Sequence, residues 1–583
     1  MNSARTPSFR IERASRSGSD PGVPESHLPD ASRENPRLSR RGLLRGSVIA
    51  AGAGLAASVT GRAAAAPLVA FGHGVASGDP LPDRVVIWTR VTPSTAAAPG
   101  SGAGERVPVR WEMSTDPGFV SVMRSGTVTA TADADHTVKV DVTGLEPATT
   151  YHYRFTATTL GQVSPTGRTR TAPATDAELD RLRFGVVSCS NWEAGYFGAY
   201  RHLALRDDLD AVIHLGDYIY EYGRGEYGGR NGSVRLHEPA HEIVSLADYR
   251  IRHAQYKTDP DLTALHARVP FIATWDDHES ADNSYRSGAE NHTPATEGDW
   301  AARKANSARA YFEWMPVRVS SSGSDAALYR RFRFGSLAEI SMLDLRTYRD
   351  EQATAGAGWR RVDAPERTIT GRAQMDWLTN GIVSSPARWK VVGNPVMIAP
   401  CLFPPLDARS TAALTETVGL PQGGIPYNTD QWDGYTADRR RLFDAIAGHG
   451  VDNTVFITGD IHSSWACDLP VDAANYPTGP TVGAEFVVPS VTSPNIDDML
   501  KVPPRTATVA IEEAFKAVNR HVRYVELDSH GYGVFELAPA GAQMDWYYLT
   551  DPTDPRSGVR HAASFRVADR AQRLVPAPSA LGT

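Results

Sequence analysis

Between residues 71 and about 171 apolar and polar positions alternate at a period of two, in RVVIWTRV, VPVRWEMS, SGTVTATA, HTVKVDVTGL and TTYHYRFTAT, with Gly, Pro and Asp turns between them. Strict alternation bounded by turn residues predicts half-buried strands, so residues 66–171 read as a small β-sandwich. A polar linker over 172–180 contains Pro173, and beyond it the pattern changes. Short apolar runs now alternate with stretches of helical period: Tyr196–Arg206, Leu246–Tyr256, Pro260–Ala267, Asp299–Phe312, Gln374–Ser384 and Thr436–Ala447. Further strands are expected in LAEISMLDLR, KVVGNPVMIA, AEFVVPSVTS, HVRYVELDS and GYGVFELAP. Interleaving of this kind predicts a layered α/β domain, spanning 181–551. After Pro552 the chain turns polar and Ala/Pro-rich, and residues 552–583 are expected to fray as a tail.

Four of the apolar runs, FGVVSCSN, VIHLGDYIY, FIATWDDHE and VFITGDIHSS, end in residues able to hold metal. Strands of open α/β folds deliver ligand-binding residues at their carboxyl ends, so the four ends are expected to converge. Cys189, Asp217 and Tyr220 offer a thiolate, a carboxylate and a phenolate, a set of anions that suits a highly charged iron. Asp276, Asp277 and Asp460 offer hard oxygens suited to Ca²⁺, Mg²⁺ or Mn²⁺. His462, two residues after Asp460, falls on the same side of an extended segment and adds an imidazole. Two or more cations roughly 3.5–4 Å apart would clamp a phosphoryl group for in-line attack, which makes phosphoester hydrolysis the leading reaction. Each residue also has a structural reading: a helix cap for Asp217, a core ring for Tyr220, an inert buried thiol for Cys189, and a satisfied core histidine for His278 or His214. Adjacent Asp276 and Asp277 after an apolar run resist that reading, because like charges near a core are costly without a cation or hydrogen bonds.

The N-terminal segment changes where this chemistry is placed. Ser39-Arg40-Arg41-Gly42-Leu43-Leu44 precedes a mild apolar stretch from Ser47 to Thr60 and then Ala63-Ala64-Ala65, the features of a twin-arginine export signal over 1–65. Its apolar stretch is too short to span a bilayer, and no later run approaches a membrane span, so a mature form without a transmembrane anchor is expected. Export would leave it in the periplasm, outside the cell or in the wall, with the twin-arginine machinery as a partner. Without residues 1–65 the chain carries 50 basic against 62 acidic residues, a net charge of −12, which argues against nucleic acid as a partner. Three cysteines in so long a chain exclude a disulfide framework. Whether Cys401 and Cys467 pair is left open.

The runs SCSNWEAGYFGAY, HLGDYIYEY, TWDDHESADN, NPVM, WDGY, TGDIHSSWA, EFVVPSVTS and HGYG together resemble the PhoD-like alkaline phosphatase and phosphodiesterase family, across essentially the whole chain after the export signal. Purple acid phosphatases are similar at greater distance. The resemblance implies a metallophosphoesterase-type four-layer αββα sandwich, preceded by a small all-β domain of fibronectin III or immunoglobulin type. The stretch Leu145–Tyr153 is similar to the fibronectin loop that carries a tyrosine corner. The resemblance also implies one Fe³⁺ and one or two Ca²⁺. Carried onto this sequence, Cys189, Asp217, Tyr220 and His462 would bind iron, with Asp217 bridging to calcium. Asp276, Asp277 and Asp460 would serve calcium, with Asn191 and Asn283 as weaker candidates. His278 would donate to phosphate or to the leaving group, and Arg346, after the strand ending in Asp344, would hold an equatorial oxygen or form an ion pair.

Phosphomonoesters and phosphodiesters are both expected substrates. A phospholipase D-type activity on lipid head groups shares every motif, and the stretches Gly223–Gly232 and Pro503–Val518 are the segments that would restrict or widen access. From other classes, an iron redox protein and a non-catalytic wall-binding module remain. The first lacks any haem or iron–sulfur cysteine pattern, and the second predicts no phosphoester turnover with metal loaded.

Overall fold

A computed structural model describes residues 69–319, 327–354, 356–403, 405 and 424–582. The expected export signal over 1–65 lies outside the described residues. The remainder forms one compact unit built on two large sheets.

The first sheet has ten strands. Its centre is the parallel trio Leu182–Val187, Ala211–His214 and Phe271–Ala273. These strands read as unbroken apolar runs because both faces are covered: every residue of the three is buried. The second sheet has seven strands, with Ala338–Met342, Trp389–Asn394, Thr454–Thr458 and Thr481–Val487 parallel at its centre. Phe184, Ile213 and Ile272 of the first sheet pack with Ile340, Val391, Ile457 and Phe486 of the second in one apolar layer between the sheets. On the outer face of the first sheet, Val212, Phe271 and Ala273 pack against helices Gly198–Ala204, Leu246–Tyr256, Pro260–His266 and Trp300–Trp314. On the outer face of the second, Val392 and Phe456 pack against Arg372–Ser384, Thr436–Gly448 and Thr508–Val518. The order is helix, sheet, sheet, helix, the four layers expected. Helix limits also follow local chemistry: Ser245 and Asp248 form a reciprocal capping box before Leu246.

At two boundaries the strands pair in ways the sequence pattern does not show. The N-terminal strands do form a sandwich, in which Val109, Tyr153 and Phe155 pack on Val85, Ile87 and Val142. However, Val75–Leu81, Arg84–Arg90 and Thr137–Thr143 belong to the ten-stranded sheet, where Val75–Leu81 runs parallel to Phe271–Ala273. An open edge beside Phe271–Ala273 would leave backbone donors and acceptors unpaired. The N-terminal strands cover that edge, so the β domain and the catalytic domain share one sheet across residue 171. The tyrosine corner is present: Tyr151 Oη accepts from the Glu146 backbone N–H at 2.9 Å.

The expected tail after Pro552 is corrected. Val559–Ala568 pairs along Gly541–Leu549, and Leu574–Pro576 closes that side of the sheet. Polar composition misleads because one face of an outer strand stays wet, while Val567 and Leu574 are buried in the layer between the sheets. Ending the chain after Asp551 is expected to remove burial worth about 1.5–3 kcal/mol for each such side chain and to strip the pairing from Gly541–Leu549. A net stability of about 5–15 kcal/mol leaves little margin, so the shortened protein should lose cooperative thermal unfolding by calorimetry. An unchanged melting transition would restore the tail reading. Among the described residues no helix is long and apolar enough to cross a membrane.

Candidate metal centre

The parallel strands of both sheets aim their carboxyl ends at one place, as expected. Cys189, Asp217, Asp460 and His462 follow three of those strands, and each takes a positive φ, between 50° and 65°. Left-handed backbone at four non-glycine residues is costly and persists only where the surroundings impose it. Here it bends each chain sharply at the strand end, so that side chains turn into the site. Gly216 makes the close approach possible: it sits at φ 112°, and a Cβ there would lie 2.5 Å from Asp276 Cβ.

The ligand atoms of Cys189, Asp217 and His462 lie within 4.8 Å of one another, as do those of Asp217, Asp277 and His278 and those of Asp276, Asp277 and Asp460. Asp217 is shared by the first two groups and Asp277 by the last two, so the three form a continuous line. Tyr220 joins the first: its hydroxyl donates to Asp217 Oδ2 at 2.9 Å and lies 3.4 Å from His462 Nε2. His462 Nδ1 donates to the Pro494 carbonyl at 2.7 Å, which leaves Nε2 as the lone-pair nitrogen facing Tyr220. Asp217 Oδ1 is buried without a hydrogen-bond partner.

Electrostatics agree with this donor set. Burial, with the charge of Asp217, pushes the Cys189 thiol and the Tyr220 phenol well above their ordinary values. Burial likewise raises Asp217 and Asp276, and it lifts Asp460 to about 7 with help from Asp430. So many buried acids can ionise together only against added positive charge. An unpartnered carboxylate oxygen, a thiol and an oriented imidazole fit a transition-metal cation, and the all-carboxylate group fits a hard one. Asp277 departs from the trend. Burial raises it, but Arg346 and His278 outweigh that and hold it below the usual carboxylate range.

The surroundings of His278 favour its protonated form. Burial opposes its charge, but Asp277, Glu221 and Asp217 raise its pKa well above the ordinary value. Its Nδ1 lies 2.7 Å from Glu221 Oε2, and its ring packs at 4.2 Å on Tyr220. Beside the line of carboxylates opens a cleft of about 550 Å³, walled by His278, Tyr227, Trp359, Tyr427, Ile496 and Met499 among others. The first singled-out access segment lines it, and the second stands behind its wall. Tyr227 of the first stacks on Tyr220 and His278. Phe515 of the second supports Tyr427 and Trp465 at 4.8 and 5.3 Å.

Three of the expected residues have protein partners of their own. Arg346 is turned away from the cleft into the carboxylates: Nε donates to Asp276 at 2.5 Å, Nη1 to Asp430 at 2.9 Å, and Nη2 to Asp276, Asp430 and Asp460 at 3.0–3.2 Å. The Asn191 amide is engaged by the backbone of Tyr227 and Glu193, which makes it a staple of the first loop. Asn283 lines the cleft and donates its backbone N–H to Asp277 Oδ2, while its side chain donates to Glu290.

Sequence reasoning missed Glu279, Glu221 and Asp430. Glu279 accepts from the backbone N–H groups of Asp217, Tyr218 and Asp276 at 3.1, 2.6 and 2.8 Å, pinning two ligand loops together. It closes the DDHE run, and that position was its signal. Asp430, paired with Arg346 and Arg349, stands just before the WDGY motif, and nothing local marks it. His214 is a core histidine, within 3.0 Å of Tyr200 Oη.

Comparison with known proteins agrees with this geometry. The PhoD-like phosphatase family matches residues 184–546, and the N-terminal domain of PhoD-like phosphatases matches 55–173. Alkaline phosphatase D of Bacillus subtilis (strain 168) is 37% identical over 562 residues, 92% of this chain and 89% of that protein. The solved structure of PhoD superposes with a TM-score of 0.77 at 36% identity, covering 88% of this chain and 94% of that one. With the four-layer fold and a line of buried anionic ligands at the strand ends, these matches place the chain in the PhoD-like phosphatase family, a metal-dependent family, and make it a phosphoester hydrolase.

Proposed function

We propose that the protein is an exported alkaline phosphatase and phosphodiesterase whose centre takes one Fe³⁺ on Cys189, Asp217, Tyr220 and His462, and one or two Ca²⁺ on Asp276, Asp277 and Asp460. The observation that carries the reading is the unpartnered buried oxygen of Asp217 between two ligand groups, the arrangement of a bridging carboxylate. Bound cations would supply Lewis acidity to the phosphoryl oxygens and lower the pKa of water for in-line attack.

The chain's own residues supply the rest. His278, charged and at the cleft wall, donates to a phosphoryl or leaving-group oxygen, and Glu221 fixes its ring and its proton on Nδ1. The alcohol portion of the ester lies along Tyr427, Trp359 and Met499. Arg346 acts as a positioning residue, holding Asp276, Asp430 and Asp460 in one geometry. A phospholipid diester is a second reading, favoured by the exposure of Tyr427 and Met499 at 51% and 58%.

Elemental analysis of natively exported protein tests the centre, together with hydrolysis of p-nitrophenyl phosphate and bis-p-nitrophenyl phosphate before and after calcium chelation. Iron near one atom per chain, and hydrolysis lost on chelation and regained with Ca²⁺, are expected. The ratio of the two rates ranks monoester against diester, and phosphatidylcholine vesicles as a third substrate test the lipid reading. Zinc in place of iron, or hydrolysis indifferent to calcium, would overturn the assignment of ions.

A further inference from the structure

Behind the metal centre, on the side of Arg346 away from the cleft, lies a second cavity of about 1000 Å³ that the hydrolytic reaction does not use. One wall is a single face of helix Trp300–Trp314, where Trp300, Lys304, Ala308 and Phe312 follow one another at intervals of four residues. Trp275, after strand Phe271–Ala273, lines it too, and Lys139 enters from strand Thr137–Thr143.

The charges around the cavity do not balance in the usual pairs. Asp276 is taken by Arg346, Glu313 by Arg250 and Arg309, and Arg286 by Asp350. Asp299 caps the helix at Ala302, and Glu279 accepts from three backbone N–H groups. That leaves Lys139 and Lys304. Each donates only to a backbone carbonyl, Lys139 Nζ to Phe312 at 2.5 Å and Lys304 Nζ to Thr347 at 3.0 Å, with no carboxylate within 4.0 Å among the described residues. Burial pulls Lys139 down to about 8, outweighing the more distant charges of Asp79 and Glu313, and also lowers Lys304 against that of Asp344. Two further wall residues, Trp300 and Ser284, each keep a buried polar atom, Nε1 and Oγ, without a partner.

We propose that this cavity is a binding site for an organic anion with an apolar body, an acyl or aryl carboxylate or phosphate. Its head would sit at Lys304, one turn of helix from Trp300, and its body against Trp275 and Phe312. Aromatic walls with a few placed polar groups are the usual make-up of a small-molecule site, and a head group there would give Lys304 the charge-assisted partner it lacks.

Isothermal titration of the metal-loaded full chain at pH 7 with decanoate, naphthoate and uncharged decanol tests the site. Saturable binding of one anion per chain is expected, with decanol weaker. Lys304→Met should weaken decanoate about 10-fold, the loss of one charge-assisted hydrogen bond. Ala308→Trp, which fills the cavity, should abolish binding while p-nitrophenyl phosphate hydrolysis persists as the sign of an intact fold. Should Ala308→Trp fail to fold, Ala305→Phe on the same wall serves in its place. No saturable anion binding to the parent protein overturns the proposal. So does decanol binding as tightly as decanoate, or unchanged decanoate affinity in both the lysine and the filling variants.

Discussion

Asp217→Asn is expected to lose the proposed iron and nearly all its phosphoester hydrolysis without losing its fold. Asp217 is the one residue common to the Cys189–His462 and Asp277–His278 groups, so one substitution weakens two adjoining sites. Partners in the outer shell of a metal site cost about 10–100-fold when removed, and a shared ligand should exceed that range in kcat. Asn is isosteric, and its Oδ1 can still accept from Tyr220 where Asp217 now does at 2.9 Å. Burial already disfavours ionised Asp217, so the metal-free variant should be at least as stable as the metal-free parent. Iron content, kcat and thermal unfolding check the three statements together. Full iron and full activity in Asp217→Asn would remove the reading of this cluster as the catalytic centre. A fall in stability that tracks the fall in activity would instead make Asp217 structural.

Arg346→Met is expected to produce the largest stability loss of any single side chain near the site. Its guanidinium is only 3% exposed and is surrounded by Asp276, Asp430 and Asp460, with Asp277 at 3.7 Å. Removing one partner of a buried ion pair costs about 3–5 kcal/mol, because the charges left behind have no compensation. Metal-free protein should therefore suffer more than metal-loaded protein, in which cations supply part of the missing charge. Denaturant titrations of both forms give the comparison, and calcium content should fall in parallel. The alternative, Arg346 as a direct phosphate contact, predicts a raised KM with stability unchanged. That pattern would return Arg346 to the substrate.

Local chemistry made much of the fold and site legible. Period-two alternation marked the N-terminal strands, the helix Leu246–Tyr256 agrees residue for residue, and Thr436–Ala447 falls one residue short of the helix Thr436–Gly448. Cys189, Asp217, Asp277 and Asp460 were visible because a buried strand that ends in a charge is locally anomalous. Glu279 was harder to read: its place in the DDHE run marks the residue, but its work, accepting backbone N–H groups from its own loop and from the loop of Asp217, leaves no trace in spacing. Asp430 lies outside the four runs altogether, and only the return of the chain from residue 424 onwards brings it to Arg346.

By itself, the sequence determined most of the elements, the layered α/β class and the residue types of the candidate ligands, because propensity, periodicity and ligand type are local properties. Tertiary structure alone decided the assignments that depend on partners distant along the chain. It joined the N-terminal strands to the catalytic sheet by their exposed edge and folded the polar end after Pro552 into two paired strands. It turned Arg346 from the cleft into the carboxylates and aligned three ligand groups through Asp217 and Asp277. Each outcome is settled by which unpaired backbone edge or unbalanced buried charge finds a complement in the folded chain, and at the centre the partners are 70 positions apart for Arg346 and Asp276 and 271 for Cys189 and Asp460.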